Sequence, residues 1–407
     1  MRPPRRFGRL GRGVIDRLRA GPRRLVLWTK EGLVYLVLWV GLLAIGIYQQ
    51  INLVLLTAGM AAGPIAASWF VSAAMLRPLQ VRRRGPSSVF SGEPLVLHYT
   101  LENARRWTSA LAIAARDRLV AVAGAGVGSG DLTLGLFFPG VGAGARARLR
   151  WEGPSPARGR YRFEAIDLIT RAPFGLLERR VRASLPGELV VYPSVGRLTR
   201  RWRLVHREAA ETRRGVRRDR VAGQQEYHGL RDYRPGDSPR WIHWRTTARM
   251  GEPMVKEFEQ QNEQDLAILI DPWLPRARAT TEQHAAVEDA IRFAATACLE
   301  SSRQSGRRLL LGWTGPTPGV RHGPASAKLL HEFLERLAVL EPAAEGSLAG
   351  LLDLVPASLL RSALLVVVST RPINLNEELE RSPRLAGGAG RGLAARVLLL
   401  DAARGDL

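Results

Sequence analysis

The sequence predicts a two-helix transmembrane hairpin, then a β-sandwich-like domain, then a Rossmann-type α/β domain. Three observations carry this expectation. Two long uncharged stretches stand near the N-terminus, short alternating strands follow them, and beyond residue 265 apolar strands alternate with amphipathic helices. The expected segments are a basic leader over 1–30, the hairpin over 31–77 and the sandwich over 81–195. A linker with a distinctive motif over 196–262 and the α/β domain over 263–407 complete the chain.

Gly32–Tyr48 holds no charged residue, and after Gln49, Gln50 and Asn52 a second uncharged stretch runs from Leu53 to Leu76. Each is near the roughly 20 residues a helix needs to cross the hydrocarbon of a bilayer. The short polar break predicts a tight hairpin, and Pro64 predicts a kink in the second helix. Arginines crowd the leader (Arg2, Arg5, Arg6, Arg9, Arg12, Arg23, Arg24) and follow the second helix (Arg77, Arg82, Arg83, Arg84), while the hairpin loop has none. The positive-inside rule therefore predicts a two-pass protein of the cell membrane, with both termini and the soluble body cytoplasmic.

A formal charge of +23 would suit nucleic acid. Almost all the basic residues are arginine, however, and they are spread along the whole chain rather than gathered on one face. No zinc finger or RNP-like pattern accompanies them, so nucleic-acid binding is set aside. A single cysteine, Cys298, rules out an intramolecular disulfide, and neither CxxC nor HExxH occurs.

Within 81–195, Leu95–Leu101 alternates apolar and polar residues as a half-buried strand does. Ala145–Trp151, Arg160–Leu168 and Glu188–Tyr192 are further strands, and their spacing suggests a small sandwich. The glycines at 124, 126, 128 and 130 imitate a nucleotide loop but lack a lysine and a following helix, so they read as a loop.

Beyond Asp265, Leu266–Ile270 is a continuous apolar run that ends in Asp271, as a buried parallel strand would. A helix over Glu282–Gln304 follows, with Val287, Ala290, Ile291, Ala294 and Cys298 on one face. Strands are expected at Arg308–Trp313, Ala363–Ser369 and Arg396–Leu400, and helices at Ser326–Val339 and Leu348–Leu354. Such sheets bind ligands at the carboxyl ends of their strands, which marks Asp271 and Ser369-Thr370.

The segment Gly229-Leu-Arg231-Asp232-Tyr233-Arg234-Pro235-Gly236-Asp237-Ser-Pro-Arg240-Trp241-Ile-His243-Trp244 is the most distinctive in the chain. It resembles the signature of a bacterial membrane-protein family known as domain of unknown function 58. The two leading helices, Ala172–Leu176, Val190–Pro193 and the α/β region fall in that family's order, so the resemblance covers nearly the whole chain. It implies a von Willebrand factor A-like domain, a MoxR-type AAA+ ATPase as partner, and sometimes a transglutaminase-like membrane protein. Physically, Arg231, Arg234 and Arg240 interleave with Asp232 and Asp237, Pro235-Gly236 forces a turn, and Tyr233, Trp241 and Trp244 offer planar faces. Such residues fit a structural clasp of Arg–carboxylate pairs and Arg–aromatic stacks, or a surface for docking partners.

Metal-binding A domains hold Mg²⁺ through an Asp-x-Ser-x-Ser loop, a threonine and a second aspartate, hard oxygens for a hard cation. Here the loop reads Asp271-Pro-Trp-Leu-Pro275, Ser347 is the stand-in for the threonine, and Thr370 holds the second acidic position. Asp271 and Ser347 thus form a degenerate site, and no cofactor is expected. Otherwise Asp271 caps a neighbouring loop or helix start. The function expected is a membrane-anchored scaffold or adaptor that docks protein partners for assembly or remodelling of a client complex. The alternative is a hydrolase using His243 and Asp237.

Overall fold

The computed structural model describes residues 24–76, 79–124, 130–199, 202, 226–233, 239, 242–259, 265–275, 279–303, 306–386, 393 and 397–404. The chain forms two compact units, Met1–Val195 with Leu334–Leu340, and Gly196–Phe333 with Glu341–Leu407.

In the first unit, β1 (Arg24–Trp28) leads directly into α1 (Lys30–Gln49), and α2 (Asn52–Leu76) returns. Both helices are long and apolar enough to cross a membrane. The break between them is short because Gln50 takes the left-handed conformation at the end of α1, with φ 54°. Across the hairpin the Tyr35 hydroxyl donates to the Ala61 carbonyl at 2.8 Å and Trp39 Nε1 to the Ala58 carbonyl at 2.8 Å. α2 continues through Pro64 as one helix. The strand β1 is a correction to the expected leader, since it pairs antiparallel with a strand of the sandwich. The leader expected over 1–30 takes in Arg24–Trp28, because the pairing with β9 that makes it a strand lies about 150 residues away.

The sandwich strands are β2 (Leu79–Arg84), β3 (Ser88–Phe90), β4 (Pro94–Asn103), β5 (Ala110–Ala123), β6 (Leu132–Val141), β7 (Arg146–Pro154), β8 (Gly159–Thr170) and β9 (Leu177–Tyr192). One sheet runs β1-β9-β8-β5-β6 with β3 beside β9, and the other runs β2-β4-β7. Their inward residues, among them Leu79, Leu97, Tyr99, Ile113, Leu119, Tyr161 and Leu189, make one core, which also takes in Met75 and Leu76 from the end of α2. The helix hairpin is therefore built into the sandwich rather than strung from it.

An ion pair lies inside this core. Asp117 is fully buried and accepts from Arg83 Nη1 at 2.6 Å and from the Tyr99 hydroxyl at 2.7 Å. Arg83 also donates to the Leu185 carbonyl at 2.7 Å and lies 3.6 Å over the Phe163 ring. Burial pushes the Asp117 carboxyl up, against the pull of Arg83. Burial and the neighbouring carboxylate push the Tyr99 hydroxyl up as well. Arg83, counted in the sequence among the arginines that follow the second helix, has a side chain only 7% exposed.

In the second unit, β10 (Glu226–Asp232) pairs antiparallel with β11 (Met254–Glu259), and α3 (Trp244–Met250) lies between them in sequence. The main sheet contains β12 (Leu266–Asp271), β13 (Arg308–Trp313), β14 (Gly319–Pro324), β15 (Leu364–Ser369) and β16 (Val397–Asp401). Its order is β14-β13-β12-β15-β16, parallel except for the edge strand β14. The connecting helices are α4 (Thr281–Ser302), α5 (Ala327–Ala338, which from Leu334 on is grouped with the first unit), α6 (Leu348–Leu354), α7 (Ala357–Ser362) and α8 (Leu375–Arg381). β12 and β15 are buried along their whole length, as central parallel strands covered on both faces must be. α4 starts in a capping box between Thr280 and Gln283, and it buries Val287, Ala290, Ile291, Ala294 and Cys298 as its spacing predicts. At the amino end of β12, burial pushes Asp265 up, but bonds from Arg308 and Ser362 outweigh it and hold the carboxyl below its usual range.

Candidate functional site

The parallel register aligns the carboxyl ends of three strands. Ile270 pairs with Trp313 and Asp271 with Ser369, so the first residues past β13 and β15, Thr314 and Thr370-Arg371, flank Asp271. Main-chain bonds fix these corners: Thr314 N donates to the Ile270 carbonyl at 3.0 Å and Thr370 N to that of Asp271 at 3.3 Å. The Thr370 hydroxyl holds the Trp273 carbonyl at 2.7 Å, and Trp273 Nε1 donates to that of Ala344 at 2.9 Å.

Asp271, 1% exposed, sits at the centre of this arrangement. The Thr314 hydroxyl donates to its Oδ1, and Arg371 Nε donates to its Oδ2 at 2.9 Å. Arg371 Nη2 continues to the Gly346 carbonyl at 2.8 Å. Gly346 packs closely there, since an added Cβ would lie 3.1 Å from Asp271 Oδ1 and 3.0 Å from the Thr314 hydroxyl. The Arg371 main chain is pinned by Ser369, whose hydroxyl donates to the Arg371 carbonyl at 2.9 Å. The Arg371 side chain is 26% exposed.

Asp271 is thus expected at a ligand-binding edge and lies there, but it caps neither loop nor helix. Its counterion is Arg371, one residue past the position where a second acid was sought. Ser347 accepts from Gly350 N at 3.0 Å and caps α6. As ligands for Mg²⁺ these residues do not fit: one carboxylate already holds a guanidinium and a hydroxyl, and the expected serines are Trp273 and Pro275. Thr314, Gly346 and Arg371 were missed in the sequence. A usable signal existed, because Thr314 and Arg371 both lie just beyond the strands that flank β12.

The distinctive segment is partly described. Arg234, Pro235, Gly236, Asp237, Arg240 and Trp241 lie outside the described residues, and of Arg231 only the backbone is described. Arg231 pairs with Val255 and Asp232 with Met254 across β10 and β11, and Tyr233 N donates to the Pro253 carbonyl at 2.9 Å. Tyr233 is 37% and Trp244 68% exposed, so these two rings face outward rather than filling a core. His243 caps α3: its Nδ1 accepts from Thr246 N at 3.3 Å and lies 2.8 Å from the Thr246 hydroxyl. That role accounts for His243 without chemistry. The glycines at 126 and 128 also lie outside the described residues.

Comparison with known proteins adds the following. Residues 229–401 match the family model described as "Protein of unknown function DUF58". An uncharacterized protein of Bacillus subtilis, YeaD, is 30% identical over 119 residues, which is 27% of this chain and 27% of that protein's length. A β-glucosidase from Listeria innocua aligns over 29% of this chain and 16% of its own, at 13% identity and a TM-score of 0.20. A DNA-bound alkylpurine DNA glycosylase from Pseudomonas fluorescens aligns over 34% of this chain and 39% of its own, at 16% identity and a TM-score of 0.21. Likenesses this weak carry no argument about fold or activity.

Proposed function

From the premise that residues 229–401 of this chain belong to the family of unknown function DUF58, we propose a membrane-anchored scaffold or adaptor. It is held in the cell membrane by α1 and α2, with both ends and the body in the cytoplasm. Its von Willebrand factor A-like unit docks protein partners, a MoxR-type AAA+ ATPase first and a transglutaminase-like membrane protein second, for assembly or remodelling of a client complex. One observation supports this reading above the others: the carboxylate at the ligand-binding edge is committed to Arg371 and Thr314. A carboxylate so engaged is poorly placed for acid–base chemistry, and the edge instead presents a fixed, partly exposed guanidinium suited to a partner's carboxylate.

The test is a mild crosslink in native membranes, followed by affinity capture of the full chain and quantitative mass spectrometry. The wild type enriches an AAA+ ATPase, and Arg371→Glu, which reverses the charge at the edge, reduces that recovery at least about tenfold. Equal recovery by both chains would refute the docking edge, and no ATPase with either would refute the partner.

A further inference from the structure

The strand registers bring three loops and the roots of both helices to one end of the sandwich. α2 ends at Leu76 and β2 begins at Leu79, which pairs with Asn103 at the end of β4. Asn103 Nδ2 donates to the carbonyls of Thr108 at 2.7 Å, Gly142 at 3.2 Å and Val141 at 3.3 Å, which ties the 104–109 loop to the β6–β7 turn. At the other root, Thr29 caps α1 and donates from its hydroxyl to the Gly175 carbonyl at 2.6 Å and from its N–H to that of Leu176 at 3.2 Å. An added Cβ on Gly32 would come 1.9 Å from the Leu176 carbonyl oxygen, so the 171–176 loop is seated against the first turn of α1.

These pinned loops turn aromatic rings outward. Trp107 is 94% and Phe174 57% exposed, with Trp28, 38% exposed, at the entrance to α1. Arg105 and Arg106 precede Trp107, and neither has a carboxylate partner among the described residues. A nearly bare indole on a loop held by Asn103 contributes nothing to the sandwich core. A bare indole preceded by two arginines that have no carboxylate partner among the described residues, with an exposed phenyl ring on the neighbouring loop, matches the interface of an anionic bilayer, where tryptophan is favoured and surface charge attracts arginine.

We infer that this end of the sandwich is a second membrane contact, in which Trp107 and Phe174 enter the headgroup region of an anionic phospholipid leaflet beside the helix roots. The occupant is identified by continuity, since the same end carries the two helices, and by charge. The inference rests on the reading of α1 and α2 as membrane helices.

The test places the full chain in mixed phosphatidylcholine–phosphatidylglycerol vesicles and labels one introduced cysteine at a time with an environment-sensitive fluorophore; the native Cys298 is buried. Positions are Trp107→Cys, Phe174→Cys, Val37→Cys within α1, and Val122→Cys. Val122 is 50% exposed at the far end of β5, about 40 Å along the strand from Ala110. Quenching by headgroup-depth nitroxide lipids is expected to be several-fold stronger at 107 and 174 than at 122. It should weaken in vesicles of phosphatidylcholine alone and in an Arg105→Ser/Arg106→Ser chain. Quenching at 37 by deeper nitroxides, with 107 and 174 no different from 122, would overturn the second contact and leave the anchor standing. Absence of quenching at 37 would overturn the anchor and the inference with it.

Discussion

Arg83→Met lowers the stability of the sandwich unit by about 3–5 kcal/mol, the usual cost of removing one partner from a buried ion pair. For a unit of this size that is a fall of roughly 10 °C in its thermal midpoint, measured on the full chain in detergent. The loss comes from Asp117, which is wholly buried and keeps the Tyr99 hydroxyl but no countercharge. Its other oxygen, Oδ1, already has no hydrogen-bond partner among the described residues. Packing opposes this only weakly, because methionine restores apolar volume over Phe163 but no charge. Adding Asp117→Asn should recover most of the loss. An undiminished loss in the double variant would assign the effect to the arginine stem instead.

The pH dependence of that deficit follows from the sign of the Asp117 shift. Burial pushes its carboxyl up and Arg83 pulls it back. Without Arg83 the folded state holds the proton more readily, while the unfolded chain keeps the ordinary aspartate value near 3.9. An acid whose folded value is raised binds more protons folded than unfolded, so stability grows as pH falls. The Arg83→Met deficit is therefore widest at neutral pH and narrows toward about pH 4. A deficit constant across that window would contradict the account.

Arg371→Ala is the second large effect. Asp271 is 1% exposed and would keep only the Thr314 hydroxyl, at a cost of about 3 kcal/mol to the α/β unit. Arg371→Lys retains the charge but not the forked donation to both Asp271 and Gly346, and should recover only part. Since the guanidinium is the cation of this site, the thermal midpoint of the wild type should not move with Mg²⁺ or EDTA. A Mg²⁺-dependent rise in the wild type would show that a metal, not Arg371, completes it.

Local pattern made much of this fold legible in the sequence. The Gln50 break between two apolar stretches, the alternation in Leu95–Leu101, and the apolar run ending in Asp271 each report one element's own environment. Pairing across distance was not legible. Ala110–Ala123 carries Arg116, Asp117 and Arg118, and reads as polar until Arg83, 34 residues away, is seen to neutralise its centre. Leu132–Val141 is interrupted by Gly135 and Pro139, which disguise a strand next to the edge-forming turn. The short helices Ala357–Ser362 and Leu375–Arg381 were missed for want of a full amphipathic period. At the candidate site the sequence located the strand ends but weighed each position as a metal ligand. It therefore passed over Arg371, whose side chain reaches back 100 residues to Asp271.

Docking at the carboxyl edge of the α/β sheet is tested most directly by site-specific photocrosslinking in native membranes. One crosslinker replaces Asn374, exposed beyond that edge, and another replaces Arg361, exposed before the amino end of β15. The account predicts an adduct with an AAA+ ATPase subunit from position 374 and none from 361. Adducts of equal yield at both positions, or none at 374, would contradict it.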